Sequence, residues 1–214
     1  LDKTPIEVEI EYAGQIVKAA MTNKSLYTNV SIKKTGYAQT MNNNIMRWTV
    51  SGVRNDSTTS LQSFYWRDTL PTDAVRLTRL VTGTYSTTQT YKVTFTTNLN
   101  SQWRTAYDNL STAKNYTLDM SSAALGLASN EYVTQFMLSF GIVPAGFHQL
   151  TNATVDAQTL YALTNGYKFT NKADVGGLLG GNWVQSIARW TTSIYSHYVP
   201  AKPAAPKSPK LPRT

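Results

Sequence analysis

Residues 29–34 read Asn-Val-Ser-Ile-Lys-Lys, and apolar and polar side chains alternate along them. Because successive side chains of a strand point to opposite faces, Val30, Ile32 and Lys34 share one face. Lys33 belongs to the opposite face. The stretch therefore predicts a β-strand whose inner, apolar face ends on a lysine.

Similar segments recur along the chain. Turn residues separate five further runs that are rich in aromatic and β-branched side chains, which favour strands. These runs are Ile45–Val53, Leu61–Asp68, Thr90–Thr97, Tyr132–Phe140 and Tyr167–Val175. Residues 104–130 are less strand-like and predict a crossover with a short helical turn from Ser121 to Leu127. Many short strands with turn punctuation predict an all-β antiparallel sandwich.

The two ends of the chain differ from this central part. We expect residues 1–28 to hold a strand leading into the sandwich or the tail of a preceding module. Because residue 1 is Leu and no signal peptide precedes it, we expect a longer precursor. Gly176-Gly177 and Gly180-Gly181 predict a flexible bend, followed by one or two extra strands up to residue 199. The proline-rich residues 200–214 predict a disordered, extended spacer.

The composition excludes several functions. The chain of 214 residues has no cysteine and two histidines, which rules out thiolate chemistry and argues against a metal site. Its net charge of +8 comes from scattered basic residues and a basic tail, so we expect no nucleic-acid partner. No apolar run is long enough to span a membrane. We expect no cofactor and no catalytic residues.

The last four residues are Leu211-Pro212-Arg213-Thr214. With the Pro/Lys-rich spacer before them, they resemble the Leu-Pro-x-Thr-Gly sorting signal of Gram-positive surface proteins, without its glycine. The resemblance implies that a sortase is a partner and that it joins the Thr214 carbonyl to peptidoglycan or to a neighbouring pilin subunit. Anionic wall polymers would also suit the positive charge. It further implies a secreted protein that is anchored to the cell wall.

A second resemblance covers residues 29–175. The segments that carry it are Val30–Thr35, Trp48–Asn55, Trp66–Pro71 and Phe169–Ala173, in this order. Together they resemble the conserved repeat domain of many Gram-positive surface proteins. The resemblance implies an immunoglobulin-like sandwich in an adhesin, pilin or stalk, with residues 29–199 as the folded domain. Host ligands would then be bound through domains further N-terminal.

Some related sandwiches contain an intramolecular isopeptide bond between a lysine and an asparagine, assisted by an acid. The resemblance places Lys34, Asn171 and Asp68 in these roles, and strand parity puts all three on apolar faces. Lys33 is the rival lysine, since a bulge would exchange the faces. Glu131 is the rival acid. The alternative is an ordinary Lys–Asp ion pair at a sheet edge, with the asparagine in a plain hydrogen bond.

Two other functions compete with this structural role. The chain has 13 tyrosines and five tryptophans, which would let an exposed aromatic surface bind a host glycan or protein. Core packing is the simpler use of these residues. A glycan-active enzyme is a more distant alternative that needs two paired carboxylates. The sequence offers four for that role, namely Asp108, Asp119, Glu131 and Asp156.

Overall fold

The computed structural model describes residues 5–12, 15–22, 26–40 and 45–195, the first two ranges by their backbone only. These residues form fifteen strands and no helix. The strands are β1 (Pro5–Tyr12), β2 (Gln15–Thr22), β3 (Val30–Gly36), β4 (Ile45–Asn55), β5 (Leu61–Thr69), β6 (Val75–Val81), β7 (Thr84–Tyr85), β8 (Thr90–Thr97), β9 (Arg104–Ser111), β10 (Thr117–Asp119), β11 (Val133–Val143), β12 (Gln149–Thr151), β13 (Ala153–Thr159), β14 (Lys168–Leu179) and β15 (Asn182–Ser193).

Two antiparallel sheets form the body of the domain. One has five strands in the order β10-β6-β13-β4-β3, and the other has six in the order β15-β14-β5-β11-β8-β9. The pairs β1–β2 and β7–β12 make two small sheets of their own. The predicted all-β, immunoglobulin-like antiparallel sandwich is confirmed.

The core lies between the two large sheets because each strand turns one apolar face inward. Trp48 and Met46 from β4 are fully buried, as are Trp66 and Phe64 from β5 and Phe136 from β11. Trp66 and Phe136 meet edge to face, with ring centroids 5.7 Å apart. Each such side chain contributes about 1.5–3 kcal/mol by leaving water. Many small contributions of this kind hold the two sheets together.

Most of the predicted strands are confirmed, including the extra C-terminal strand β15. The expectation that residues 104–130 are a less strand-like crossover is wrong for the part before residue 120, because β9 and the short β10 lie there. β9 is an edge strand in which only Leu110 is buried, so its sequence carries little hydrophobic alternation. Hydrogen-bonded turns do occupy the segment from Ser121 to Leu127, as expected. The strands β6 and β13 were not predicted, and an ion pair between Arg79 of β6 and Asp156 of β13, at 2.7 Å, joins them.

The expected bend at Gly176-Gly177 is also wrong. Both glycines are buried within β14, where neighbouring side chains leave no room for a Cβ atom. A Cβ on Gly176 would lie 2.8 Å from the Tyr65 ring, and one on Gly177 would lie 2.8 Å from Leu61. The turn comes at Gly180-Gly181, where φ is +56° and +82°, and it joins β14 to β15 as a tight hairpin.

The segment after β3 closes one edge of the sandwich. The Thr40 amide donates to the Ser193 carbonyl at 3.0 Å, and the Ser193 amide donates to the Ala38 carbonyl at 2.9 Å. These bonds tie the end of β3, in the five-stranded sheet, to β15, in the six-stranded sheet. β3 therefore lies against β14 and β15 across the interior.

Two predicted regions are described in part or not at all. Within residues 1–28, the predicted strand is present as β1, which pairs with β2. That this region closes a preceding module stays a prediction. The spacer 200–214 with its sorting motif lies outside the described residues.

Candidate functional site: a buried lysine, aspartate and asparagine

Lys34, Asp68 and Asn171 meet in the interior of the sandwich. Lys34 lies in β3, on the same face as the buried Val30 and Ile32. Asp68 lies in β5 and Asn171 in β14, which are neighbouring strands of the other sheet. The three side chains therefore bring the two sheets into polar contact at one point.

Asp68 bridges the other two side chains with one oxygen each. The Lys34 Nζ atom lies 2.7 Å from Asp68 Oδ2, and neither side chain has solvent-accessible surface. Asn171 Nδ2 donates to Asp68 Oδ1 at 2.7 Å and to the Thr69 carbonyl at 3.1 Å. Asn171 Oδ1 is buried and has no hydrogen-bond partner.

The surroundings of this cluster are apolar. The Lys34 ammonium lies 5.7 Å from the centroid of the Trp48 ring, which packs edge-on against Phe169. Burial lowers the pKa of the Lys34 amine below its ordinary value, although the charge and hydrogen bond of Asp68 oppose this shift. A lowered pKa makes the neutral, nucleophilic amine more available. Trp48 was not among the predicted site residues, although it alternates with Met46 and Val50 on the strand beside Lys34.

The contacts can support proton transfer between two nitrogen atoms. One carboxyl group touches the Lys34 nitrogen with one oxygen and the Asn171 nitrogen with the other. Such a group can accept a proton from the first nitrogen and deliver one to the second. The alternative interpretation, an ordinary ion pair and a plain hydrogen bond, rests on the same contacts. The two interpretations differ in whether an amide bond forms between Lys34 and Asn171.

The structure places both rival residues elsewhere. Lys33 points to the outer face of its sheet, where its aliphatic chain lies over Gly52. Glu131 accepts hydrogen bonds from Thr97 at 2.6 Å and from Arg104 at 2.7 Å, and these bonds lower its pKa. Neither residue contacts the cluster, because strand parity turns the lysine outward and Glu131 lies ahead of β11 in a loop. The placement does not support either rival, and both roles stay predictions for the mass measurement to test.

Asp119 and Asp156, two of the four carboxylates considered for glycoside hydrolysis, line one shallow cavity of about 630 Å³. Burial raises the pKa of Asp156, but hydrogen bonds and charges from Arg47 and Arg79 outweigh it, so the net pKa is lowered. A hydrogen bond from the Ser121 amide lowers the pKa of Asp119. A glycosidase needs one carboxyl with a raised pKa as general acid. Neither Asp119 nor Asp156 has a raised pKa, so this pair lacks the general acid.

A metal-binding cluster and a membrane-spanning helix are both absent from the residues that the structure describes. No cluster of three or more histidine, aspartate or glutamate side chains is placed to hold a metal ion there. Nor does the described part contain a helix with the length and apolar character needed to cross a bilayer.

Comparisons with known proteins leave the family open. No family model matches the chain, and no curated protein matches it significantly. Solved structures with a similar fold include the CARDB domain of a Pyrococcus furiosus protein in complex with di-metal ions. It is 13% identical, with a TM-score of 0.32, over 82% of this chain and 100% of that one.

Two other solved structures that match the chain come from proteins with unrelated functions. A protein that catalyses macrocyclization in alchivemycin A biosynthesis is 11% identical, with a TM-score of 0.34, over 91% and 99% of the two chains. The Enterococcus faecalis MSCRAMM ACE, which binds its ligands by the collagen hug model, is 12% identical, with a TM-score of 0.33, over 93% and 62% of the two chains. At such values the likenesses carry no conclusion about function.

Proposed function

We propose that this chain is a structural module of a Gram-positive surface protein, anchored to the cell wall and stiffened by an amide cross-link between Lys34 and Asn171. The observation that supports it best is the buried contact in which Asp68 touches both nitrogen atoms. A buried ion pair is often no more stabilising than apolar side chains of equal volume. A chemical role would explain why this cluster occupies the core.

The proposed reaction needs no cofactor. The neutral Lys34 amine attacks Asn171 Cγ, and Asp68 Oδ2 accepts the proton that the attacking nitrogen loses. Asp68 then passes this same proton to Asn171 Nδ2, which leaves as ammonia. One C–N bond forms and one breaks, so the products are a Lys–Asn amide and one ammonia. The apolar surroundings exclude water, which would otherwise compete for the carboxamide carbon.

A cross-link at this position would strengthen the module under tension. It would join the two sheets directly, because Lys34 and Asn171 belong to different ones. The two residues are 137 positions apart in the chain (171 minus 34). A pulling force applied at the two ends of the chain would pass through the cross-link and bypass the residues between 34 and 171. That segment could therefore not extend. Such a property suits a stalk, pilin or adhesin support that carries load outside the cell.

The sorting motif supports the anchored location. Sortase would join Thr214 to peptidoglycan or to a neighbouring pilin subunit, and the Pro/Lys-rich spacer would separate the folded module from the wall. Domains further N-terminal would present the host-binding surface. In this proposal the chain is not an enzyme.

Intact mass of the folded protein tests the cross-link. The parent should weigh one ammonia less than its sequence, and a tryptic digest should give a branched peptide with Lys34 and Asn171. Lys34→Ala and Asn171→Ala should each restore the full sequence mass. A parent protein at full sequence mass would show that the cluster is an ordinary polar contact.

A separate experiment tests the anchor. In cells that contain sortase, the protein should stay with the wall after boiling in detergent. Substitution of Leu211, Pro212 or Thr214 by alanine should release it into the medium, whereas Arg213→Ala, at the variable position of the motif, should not. Wall attachment of all four variants would contradict the assignment.

A further inference from the structure

The outer face of the six-stranded sheet carries a groove of about 560 Å³. This is within the size range of small-ligand sites, which combine aromatic walls with a few polar groups. The groove lies on the opposite side of the sheet from the core, so neither the cross-link nor the sorting motif accounts for it.

The floor of the groove follows one row of residues across five strands. In this row Lys92 is paired with Ser139, Ser139 with Tyr65, Tyr65 with Gly176, and Gly176 with Gln185. The Tyr65 ring lies directly over Gly176, and a Cβ atom there would come within 2.8 Å of the ring. Gln185 Nε2 donates to the Tyr65 hydroxyl at 2.8 Å and holds the ring in this position. Small residues next to a flat ring give the floor its open shape.

Two exposed tryptophans form the walls. Trp103 immediately precedes β9 and Trp183 lies in β15, and these strands are the two edges of the sheet. Trp103 is 39% exposed and Trp183 is 55% exposed, yet both line the same groove. Trp183 also packs edge-on against Tyr65, with centroids 6.0 Å apart. Tryptophan rings that stay open to solvent in a concave site offer a stacking surface.

The backbone beside this surface is strained. Ser63 has a φ of +47°, which a residue with a side chain rarely adopts, and it lines the groove. Gly141, which is paired with the adjacent Phe64, sits at an irregularity in the pairing of β5 and β11, with open space where a side chain would be. Strain of this kind costs about 1–3 kcal/mol and concentrates at ligand sites. The bulge keeps the centre of the groove unfilled.

The charge of the groove is positive. Arg67 forms a bidentate pair with Asp174 at 2.9 and 2.8 Å, so its charge is compensated. Lys92 makes no ion pair with any described residue, and no carboxylate lines the groove. An unpaired cation beside open aromatic rings suits a ligand that has both an apolar face and a negative charge.

We propose that this groove binds an acidic oligosaccharide. The rings of Trp103 and Trp183 stack on the CH faces of sugar rings, and Lys92 pairs with a sugar carboxylate. Ser139 and Gln185 reach sugar hydroxyls. An extended peptide fits less well, because peptides that add to a sheet need an open strand edge and the groove lies on a sheet face. This binding goes beyond the structural role and requires neither the anchor nor the cross-link, so each proposal can fail alone.

Calorimetric titration of the full chain tests the proposal. The probes are a hyaluronan octasaccharide, which carries glucuronate carboxylates, and the same octasaccharide with its carboxylates methyl-esterified. We expect about tenfold tighter binding of the acidic form, the size of effect given by one charged hydrogen bond. Lys92→Gln should remove this preference, and Trp183→Ala should weaken both forms about tenfold.

Matched controls separate the groove from general surface effects. Tyr161→Ala removes an aromatic side chain that is 92% exposed and outside the groove, and Lys114→Gln removes an exposed lysine in a turn that does not line the groove. Both variants should bind like the parent. Equal weakening by Lys92→Gln and Lys114→Gln would overturn the proposal, as would the absence of saccharide binding at millimolar concentration. Preferential binding of a Gly-Pro-rich peptide would overturn it too, as would self-association that Trp183→Ala abolishes.

Discussion

Replacement of Asn171 by alanine separates the cross-link from the contacts around it. The substitution removes the carboxamide carbon that Lys34 would attack. In the variant the Lys34 amine stays free to form its ion pair with Asp68, since the 2.7 Å contact between them does not involve Asn171. The hydrogen bonds from Asn171 Nδ2 to Asp68 and to the Thr69 carbonyl are no part of the difference from a cross-linked parent, because that nitrogen has already left there as ammonia.

The expected loss of stability is large because the closed loop is long. Lys34 and Asn171 are 137 positions apart (171 minus 34). A cross-link that closes such a loop lowers the entropy of the unfolded chain and stabilises by about 5 kcal/mol. For a domain of this size the melting temperature should fall by about 10–20 °C.

Asn55 provides the matched control. It is also fully buried, and its side chain makes three hydrogen bonds, to the Thr59 and Pro144 carbonyls and from the Ser57 amide. Asn55→Ala therefore loses more hydrogen bonds than Asn171→Ala, but it keeps the proposed cross-link. Its free energy of unfolding should fall by about 1–3 kcal/mol, with the parent's mass deficit of one ammonia retained.

The assay is equilibrium unfolding in urea, combined with intact mass of each variant. Asn171→Ala should unfold at clearly lower urea concentration than Asn55→Ala. It should also have a steeper dependence on urea, because its unfolded chain is no longer looped and exposes more surface. If Asn171→Ala is no less stable than Asn55→Ala, the loop-closure reasoning is refuted. The intact mass of the parent then shows whether the bond is absent or is present without the expected gain in stability.

The remaining predictions concern the rival residues, the buried tyrosines and one glycine. Lys33→Ala and Glu131→Gln should keep the mass one ammonia below the sequence; a full mass for either would reinstate that rival. Burial raises the pKa of Tyr91 to about 12 and that of Tyr85 further, so stability present below pH 10 should fall as pH rises towards 12. Phenolate absorbance should show these tyrosines titrating only as the protein unfolds. Gly177→Ala should cost about 1–3 kcal/mol by overpacking, and unchanged thermal unfolding would contradict the close approach.

Local patterns were enough to predict the strands that carry the cluster and the direction of their side chains. The alternation around Lys34 turns its side chain inward and Lys33 outward, because side-chain direction along a strand has a period of two. The same reasoning placed Asp68 and Asn171 on inner faces. Edge strands such as β9 lack this alternation, and sequence reasoning missed β9 for that reason.

The sequence by itself determined the all-β class, the inward direction of Lys34 and the proline-rich composition of the tail, because these depend on neighbouring residues. Only the tertiary structure decided that Asp68 touches both Lys34 and Asn171, since strand pairing joins residues far apart in the chain. It also placed Gly176 inside a strand, because the Tyr65 ring that covers it comes from another strand. The groove depends on the same nonlocal pairing, which aligns one residue from each of five strands in a single row.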